Sequence, residues 1–150
     1  MTGISPGTRH LAIAIIKNGF LEHWGIKKYR NKWSEQKLNH IIRYIEKQIV
    51  YFNISEIAIK VNHQARSSAA LEQLIEHIGL AAKRLNVKFK VYTIDELKYL
   101  CGNGKNKQSL IDFVIEKYPE IKSNMALSSK NVKYHTKTIE AVALAHVLSK

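Results

Sequence analysis

Six apolar residues without interruption, Leu11 to Ile16, stand one residue before the dipeptide Asn18-Gly19. An apolar run of this length, rich in isoleucine, is typical of a buried β-strand. Asn-Gly favours the two-residue turn of a hairpin, so a second strand with one side facing water is predicted over Phe20 to Tyr29. A short strand before the turn signal Pro6-Gly7 precedes both. The chain therefore opens with three strands.

Helices and strands alternate through the rest of the chain, because apolar residues recur there at helical spacing between short strand-like runs. The predicted elements are a helix from Ser34 to about Tyr51, a strand over Ile57–Val61, a helix from Ser67 or Ser68 through Ala82, a strand over Val87–Tyr92, a helix opened by the capping box Thr93–Glu96, and helices over Lys107–Tyr118 and Thr136–Leu148. This order predicts an α/β fold with a mixed sheet flanked by helices. The sequence shows no repeat or low-complexity tract, so residues 1–150 are expected to form a single domain.

The charge balance points to a polyanionic partner. The chain has 24 Lys+Arg against 12 Asp+Glu, a net charge of +12. Such an excess most often serves nucleic-acid binding. The segment Lys27–Trp33 interleaves cations with aromatic residues, a combination suited to phosphates and bases, although a single charge run is more often a solvated face.

The same composition excludes several classes of protein. The single cysteine, Cys101, excludes an intramolecular disulfide and a Cys-rich zinc site, and it fits the cytoplasm or another reducing intracellular compartment. The sequence contains no run of 18 apolar residues that would predict a membrane span. Neither a membrane nor a small-molecule substrate is expected as the partner.

The segment Gly3–Arg9, with the sequence Gly-Ile-Ser-Pro-Gly-Thr-Arg, resembles the first strand of RuvC-type Holliday-junction resolvases, whose pattern is Gly-Ile-Asp-Pro-Gly-Ser/Thr-Arg. Further fragments resemble the family in the same order, at Ile57–Lys60, Asn62–Ala69, Gly102–Gln108 and Glu140–Ala145. The resemblance implies a ribonuclease-H-like fold, with a mixed five-stranded sheet flanked by helices, and an ancestry in DNA binding and recombination. Similar resolvases act as homodimers on four-way junctions, so a homodimer is the implied state.

The departures from the family pattern fall on its metal-binding positions. Similar enzymes bind metal through an Asp on the first strand, a Glu on the fourth and two groups on the final helix. The matching residues here are Ser5, Lys60, Lys137 and Glu140. One carboxylate remains and two positions are cationic, so no intact catalytic set and no bound metal or other cofactor is expected. Mg²⁺ would be required only if the chain were an active nuclease.

Two readings of the lysine at position 60 are open. Its strand can bring Lys60 beside Glu140, so that an ammonium group supplies the positive charge that metal supplies in active relatives, with Ser5 hydrogen-bonded to one of them. Alternatively, Lys60 has drifted and points to solvent. Acids recruited from elsewhere are a weaker possibility, because Asp95 and Glu96 stand at a helix start, where capping is the ordinary role.

The resemblance also implies nucleic-acid contacts around the same cleft. The residues at the matching positions are Arg9, His63, Arg66, Lys105 and Lys107. A surface histidine is an equally good interpretation of His63.

Three functions follow as alternatives. The favoured one is a catalytically inactive pseudo-resolvase that binds branched or structured DNA. The second is an active, Mg²⁺-dependent structure-selective endonuclease with a non-standard acid site. The third is a structural or protein-interaction role for the fold. The sequence leaves open whether the chain is an enzyme, and whether it prefers DNA or RNA.

Overall fold

The computed structural model describes residues 1–62, 68–102, 104, 106–122 and 132–149. Predictions that concern His63, Arg66 and Lys105 therefore lie outside the described residues. The regular elements are β1 Thr2–Ser5, β2 His10–Lys17, β3 Phe20–Lys28, α1 Glu35–Tyr51, β4 Glu56–Val61, α2 Ala69–Arg84, β5 Lys88–Thr93, α3 Ile94–Cys101, α4 Lys107–Lys117 and α5 Val132–Leu148. Among these described segments, no helix is both long and apolar enough to cross a membrane.

The five strands form one mixed sheet in the order β3-β2-β1-β4-β5. β1 pairs antiparallel with β2 and parallel with β4, while β2–β3 is an antiparallel hairpin and β4–β5 a parallel pair. The predicted fold class, a mixed five-stranded sheet flanked by helices, is confirmed.

Local sequence signals set the ends of several elements. Asn18 and Gly19 both have positive φ, 53° and 80°, as the two-residue hairpin turn requires. The hydroxyl oxygens of Ser34 and Ser68 cap α1 and α2, because each accepts a hydrogen bond from the backbone N–H group three residues later in the chain. Thr93 opens α3 with the complete capping box. The last helix begins at Val132, four residues before the predicted start.

A bulge between Ile15 and Ile16 shifts the pairing register of the hairpin by one residue. As a result His10 stands opposite Lys28, and Leu11 stands opposite Lys27. Residues directly opposite one another on two strands share a face of the sheet. His10 and Lys28 therefore lie on one face, and Lys27 lies on the other.

Helices cover both faces of the sheet. One core contains the inward faces of α1 and α2 against one side of the sheet, including Ile4, Ile13 and Ile59. The other core contains α5, with α3 and α4 packed on it, against Ala12 and Ala58. Since residues 139–145 are all buried, α5 is a central element rather than a surface helix.

The approach of α5 to the sheet depends on Gly3. A Cβ atom at Gly3 would lie 1.9 Å from the carbonyl oxygen of Ala141 and 2.6 Å from the backbone nitrogen of Ala145. The helix backbone therefore rests directly on β1. This contact places Glu140, the neighbour of Ala141, over the ends of β1 and β4.

Candidate nucleic-acid-binding cleft

Four polar residues lie close together where α5 crosses the ends of β1 and β4, namely Ser5, Lys60, Lys137 and Glu140. Gly3 on β1 stands opposite Ala58 on the parallel strand β4. Ser5 lies two residues after Gly3, and Lys60 lies two residues after Ala58. Because side chains alternate between the two faces of a strand, Ser5 and Lys60 lie on the same face as Gly3 and Ala58, the face that α5 covers. The helix brings Glu140 to the same place.

Glu140 contacts both strand residues. The Lys60 Nζ atom lies 2.8 Å from Glu140 Oε2, and the side chains are 14% and 2% exposed. The Ser5 hydroxyl, fully buried, donates a long hydrogen bond of 3.4 Å to Oε1. Oε2 has no aligned hydrogen-bond donor among the described residues, so its contact with Lys60 is an ion pair by distance rather than a directed hydrogen bond. The predicted Lys60–Glu140 contact is present, and the alternative in which Lys60 points to solvent is wrong.

Lys137 lies one turn before Glu140 on α5 and adds a second ammonium group. Its Nζ donates a hydrogen bond of 3.0 Å to the carbonyl oxygen of Pro6. Gly7 leaves the space for it, because a Cβ there would lie 2.8 Å from Nζ. Burial, and then the charge of Lys60, lower the pKa of Lys137 to about 8, against a smaller opposing effect of Glu140. With Lys137 protonated, the formal charges of the centre are those of two ammonium groups and one carboxylate.

This donor set does not fit a divalent metal ion. Mg²⁺ binding depends on several anionic or neutral oxygens, and here the single carboxylate is already paired with an ammonium group. A divalent ion about 4 Å from one ammonium nitrogen is repelled by roughly 8 kcal/mol at an effective dielectric of 20. The described residues also contain no cluster of three or more His, Cys, Asp or Glu side chains placed to hold a metal.

The acids considered as replacements are used elsewhere. The carboxylate of Glu96 accepts hydrogen bonds from the backbone N–H and the hydroxyl of Thr93, which completes the cap of α3. Asp95 lies 3.8 Å from the ammonium group of Lys98 on the same helix. Both carboxylates therefore serve α3, as their capping pattern predicted.

Basic side chains, one of them the histidine His10, continue from this centre along the sheet. His10 and Lys28 face the same side as Ser5 and Lys60, and the pKa of His10 is lowered by burial and then by Lys137, Lys28 and Arg9.

Arg9 is exposed beside His10, and exposed Lys107 at the start of α4 acts electrostatically on Lys137. Of the predicted nucleic-acid contacts, the structure thus places Arg9 and Lys107 around the centre.

A groove beyond His10 extends this positive surface. A cavity of about 310 Å³ is lined by Arg9, His10, Lys28, Tyr29 and Arg30. An adjoining cavity of about 470 Å³ follows the chain from Lys27 to Asn31 and the first turn of α1. The basic run Lys27–Trp33, predicted to suit phosphates and bases, contains Lys28, but the run alone does not show which of its lysines faces the cleft, and His10 lies outside it. The pairing register of the hairpin is the signal that identifies both.

Buried Lys37 holds the chain segment that forms the wall of this groove. Its Nζ donates hydrogen bonds to the carbonyl oxygens of Tyr29, at 3.1 Å, and of Asn31. Burial is the main cause that lowers the pKa of Lys37, followed by the charge of Arg9. Lys37 therefore has a structural role, in contrast to the exposed cations beside it.

The sheet order, the central α5 and the convergence of polar residues at the ends of β1, β4 and α5 define a ribonuclease-H-like protein. The family model described as crossover junction endodeoxyribonuclease RuvC matches residues 1–146. The chain therefore belongs to the RuvC family. No curated protein matches it by sequence.

Solved structures share the fold at low sequence identity. Thermus thermophilus RuvC in complex with a Holliday junction substrate is 16% identical, with a TM-score of 0.76, over 99% of this chain and 90% of that chain. A second T. thermophilus RuvC structure is 14% identical, with a TM-score of 0.72, over 99% and 95% of the two chains. The fowlpox virus Holliday junction resolvase is 17% identical, with a TM-score of 0.53, over 99% and 92%.

Proposed function

We propose that this chain is a catalytically inactive member of the RuvC family that binds branched or structured DNA. The observation that carries the proposal is the ion pair of 2.8 Å between Lys60 and Glu140. The ammonium group of Lys60 pairs with the one carboxylate at this centre. A metal-dependent nuclease instead needs several acidic side chains at this place to hold its metal ions.

Support for nucleic acid as the ligand comes from charge and from relatives. The net charge is +12, and the cations Arg9, Lys28 and Arg30 line a groove that leads away from the centre. A T. thermophilus relative with the same fold has been solved with a Holliday junction substrate. Branched DNA is therefore the first ligand to test.

The assembly and location follow as parts of the same proposal. A homodimer would give a two-fold arrangement of clefts suited to a four-way junction. Residues 1–150 act as one domain in this proposal, since a single sheet joins strands from Thr2 through Thr93 and α5 packs on it. The sequence has one cysteine, Cys101, so an intramolecular disulfide is excluded, and this supports a reducing compartment such as the cytoplasm.

The test pairs binding with cleavage on one labelled four-way junction. Gel-shift binding is measured across a salt series, and nicking is measured with EDTA, Mg²⁺ and Mn²⁺. The proposal expects salt-sensitive binding that prefers the junction over a linear duplex of the same sequence, without nicking in any metal. A duplex of equal length is the control for branch selectivity.

The alternatives give different results in the same assay. Metal-dependent nicking that disappears in Glu140→Gln would establish an active nuclease and overturn the proposal. Absence of both binding and nicking at low salt would also overturn it and favour a structural or protein-interaction role.

A further inference from the structure

We propose that Lys60 and Lys137 together form a metal-independent binding site for one backbone phosphate of the nucleic acid. The inference rests on the proposed function and deepens it, since it assigns a ligand group to the centre that the family uses for metal. It concerns the two ammonium groups themselves, in addition to the exposed cations of the groove.

Among the described residues, neither ammonium group uses all of its donors. An ammonium group carries three N–H donors. Within the described part of the chain, Lys60 directs its charge at Glu140 Oε2 and Lys137 gives one hydrogen bond to the carbonyl oxygen of Pro6. The donors that remain on each lysine suit an acceptor with several oxygens, such as a phosphodiester.

The charge of the centre also matches a phosphodiester. Two ammonium groups and one carboxylate leave a net charge of +1, which one phosphodiester neutralises. Glu140 fixes Lys60 at the floor of the cleft, and Pro6 fixes Lys137 above the end of β1. Because both lysines are held before the ligand arrives, little side-chain entropy is lost on binding.

The electrostatic environment of the two lysines favours binding of an anion. The low pKa of Lys137 arises from burial and from repulsion by Lys60, with a smaller contribution of Lys107. A phosphate placed between the two lysines removes that repulsion. The side chain of Lys60 is 14% exposed and that of Glu140 is 2% exposed, so solvent reaches the lysine side of the pair.

The test measures fluorescence anisotropy of a labelled four-way junction in EDTA, with Lys60→Gln, Lys137→Gln and Lys137→Arg. The control is Lys83→Gln, an exposed lysine on α2, which covers the opposite face of the sheet. We expect the original chain to bind equally well in EDTA and Mg²⁺. Each Gln variant should lose about tenfold in affinity, as for a charge-assisted hydrogen bond, while Lys83→Gln changes it less than about twofold. Lys137→Arg should keep most of the affinity.

A chemical probe identifies the ligand group. Junction strands with single neutral methylphosphonate linkages near the branch point replace one phosphate at a time. The original chain should lose affinity at a particular linkage, and the double variant Lys60→Gln/Lys137→Gln should be insensitive to that linkage. Circular dichroism checks that each variant is folded. Lys60→Gln alone leaves the buried carboxylate of Glu140 without its ion-pair partner, and the double variant Lys60→Gln/Glu140→Gln removes that carboxylate as well.

Each contrary result has a distinct meaning. If the original chain binds the junction and both Gln variants behave like Lys83→Gln, the phosphate site is wrong and the proposed function stands. If binding requires Mg²⁺, the metal-independent site is also wrong. If the original chain does not bind at low salt, the phosphate site and the proposed function fail together.

Discussion

Lys60 on β4 and Glu140 on α5 are 80 residues apart in the chain and form an ion pair whose Nζ–Oε2 distance is 2.8 Å. Glu140 is 2% exposed and Lys60 is 14% exposed, so the carboxylate lies deeper than the ammonium group. The negative charge therefore positions Lys60, while the positive charges of Lys60 and Lys137 face the cleft.

Removal of the carboxylate should strengthen DNA binding. Glu140→Gln raises the net charge of the centre from +1 to +2, so junction affinity should rise about three- to tenfold at low salt. The free energy of unfolding should fall by about 1–3 kcal/mol, because Lys60, whose side chain is 14% exposed, loses its ion-pair partner. Anisotropy and urea unfolding measure the two effects. A loss of affinity in a folded variant would contradict this prediction and would show that the positioning of Lys60 by Glu140 outweighs the gain in positive charge.

Restoration of the family's acids should create a metal site. The triple variant Ser5→Asp, Lys60→Glu, Lys137→Asp places three carboxylates beside Glu140, and repulsion among them should lower the melting temperature in EDTA. Mn²⁺ should then raise that temperature by binding the folded state. Thermal shift with Mn²⁺ and EDTA provides the measurement, with the original chain as control. An equal Mn²⁺-dependent rise in the original chain would show that its own residues bind the ion.

Lys137→Met should stabilise the protein while weakening its binding to DNA. The folded state lowers the pKa of Lys137 from 10.5 to about 8, because burial and Lys60 disfavour its charge. This cost is present below about pH 8 and is relieved as the pH rises toward 10.5. After loss of the hydrogen bond to Pro6, the variant should gain about 1–2 kcal/mol in urea unfolding at pH 7. Lys83→Met should show no such gain, and a gain that persists at pH 10.5 would refute the explanation.

DNA affinity should depend on pH through the same lysine. A bound phosphate favours charged Lys137, so binding takes up a proton at pH values above about 8, and affinity should fall between pH 7 and pH 9. The charged or titratable groups that act on Lys137 are Lys60, Glu140, Lys107 and His10. His10 has a lowered pKa and is neutral throughout this range.

The matched variant for this experiment is Lys137→Arg, since a guanidinium group stays charged to pH 9. Its affinity should be nearly constant from pH 7 to pH 9. A parallel decline in the original chain and in Lys137→Arg would assign the effect to another group.

Local patterns in the sequence predicted much of the architecture. The Asn18-Gly19 turn, the caps Ser34 and Ser68, and the capping box at Thr93 act through contacts within a few residues, so the sequence identifies them directly. The contact between Lys60 and Glu140 was also predictable, because the family pattern places both positions at one centre.

The hairpin register was not predictable in this way. A two-residue turn at Asn18-Gly19 without a bulge would pair His10 with Lys27. The bulge at Ile15/Ile16 pairs His10 with Lys28 instead, and a slip of one residue reverses the face of each side chain. Lys27 accordingly turns to the opposite face, where its Nζ lies 5.0 Å from the centre of the Tyr44 ring. Backbone geometry, rather than composition, decides which lysine enters the cleft.

The packing of α5 on β1 determines where the residues of this centre lie, independently of which polar side chains they carry. The backbone of Gly3 packs against Ala141, Leu144 and Ala145. The distance between helix and sheet is therefore determined by this contact and not by the polar residues of the centre. Changes at Ser5, Lys60 or Lys137 alter charge while the scaffold keeps these positions together. In such a fold, the residues at the centre can be substituted one at a time, and each intermediate sequence still folds while the ligand that the centre binds changes.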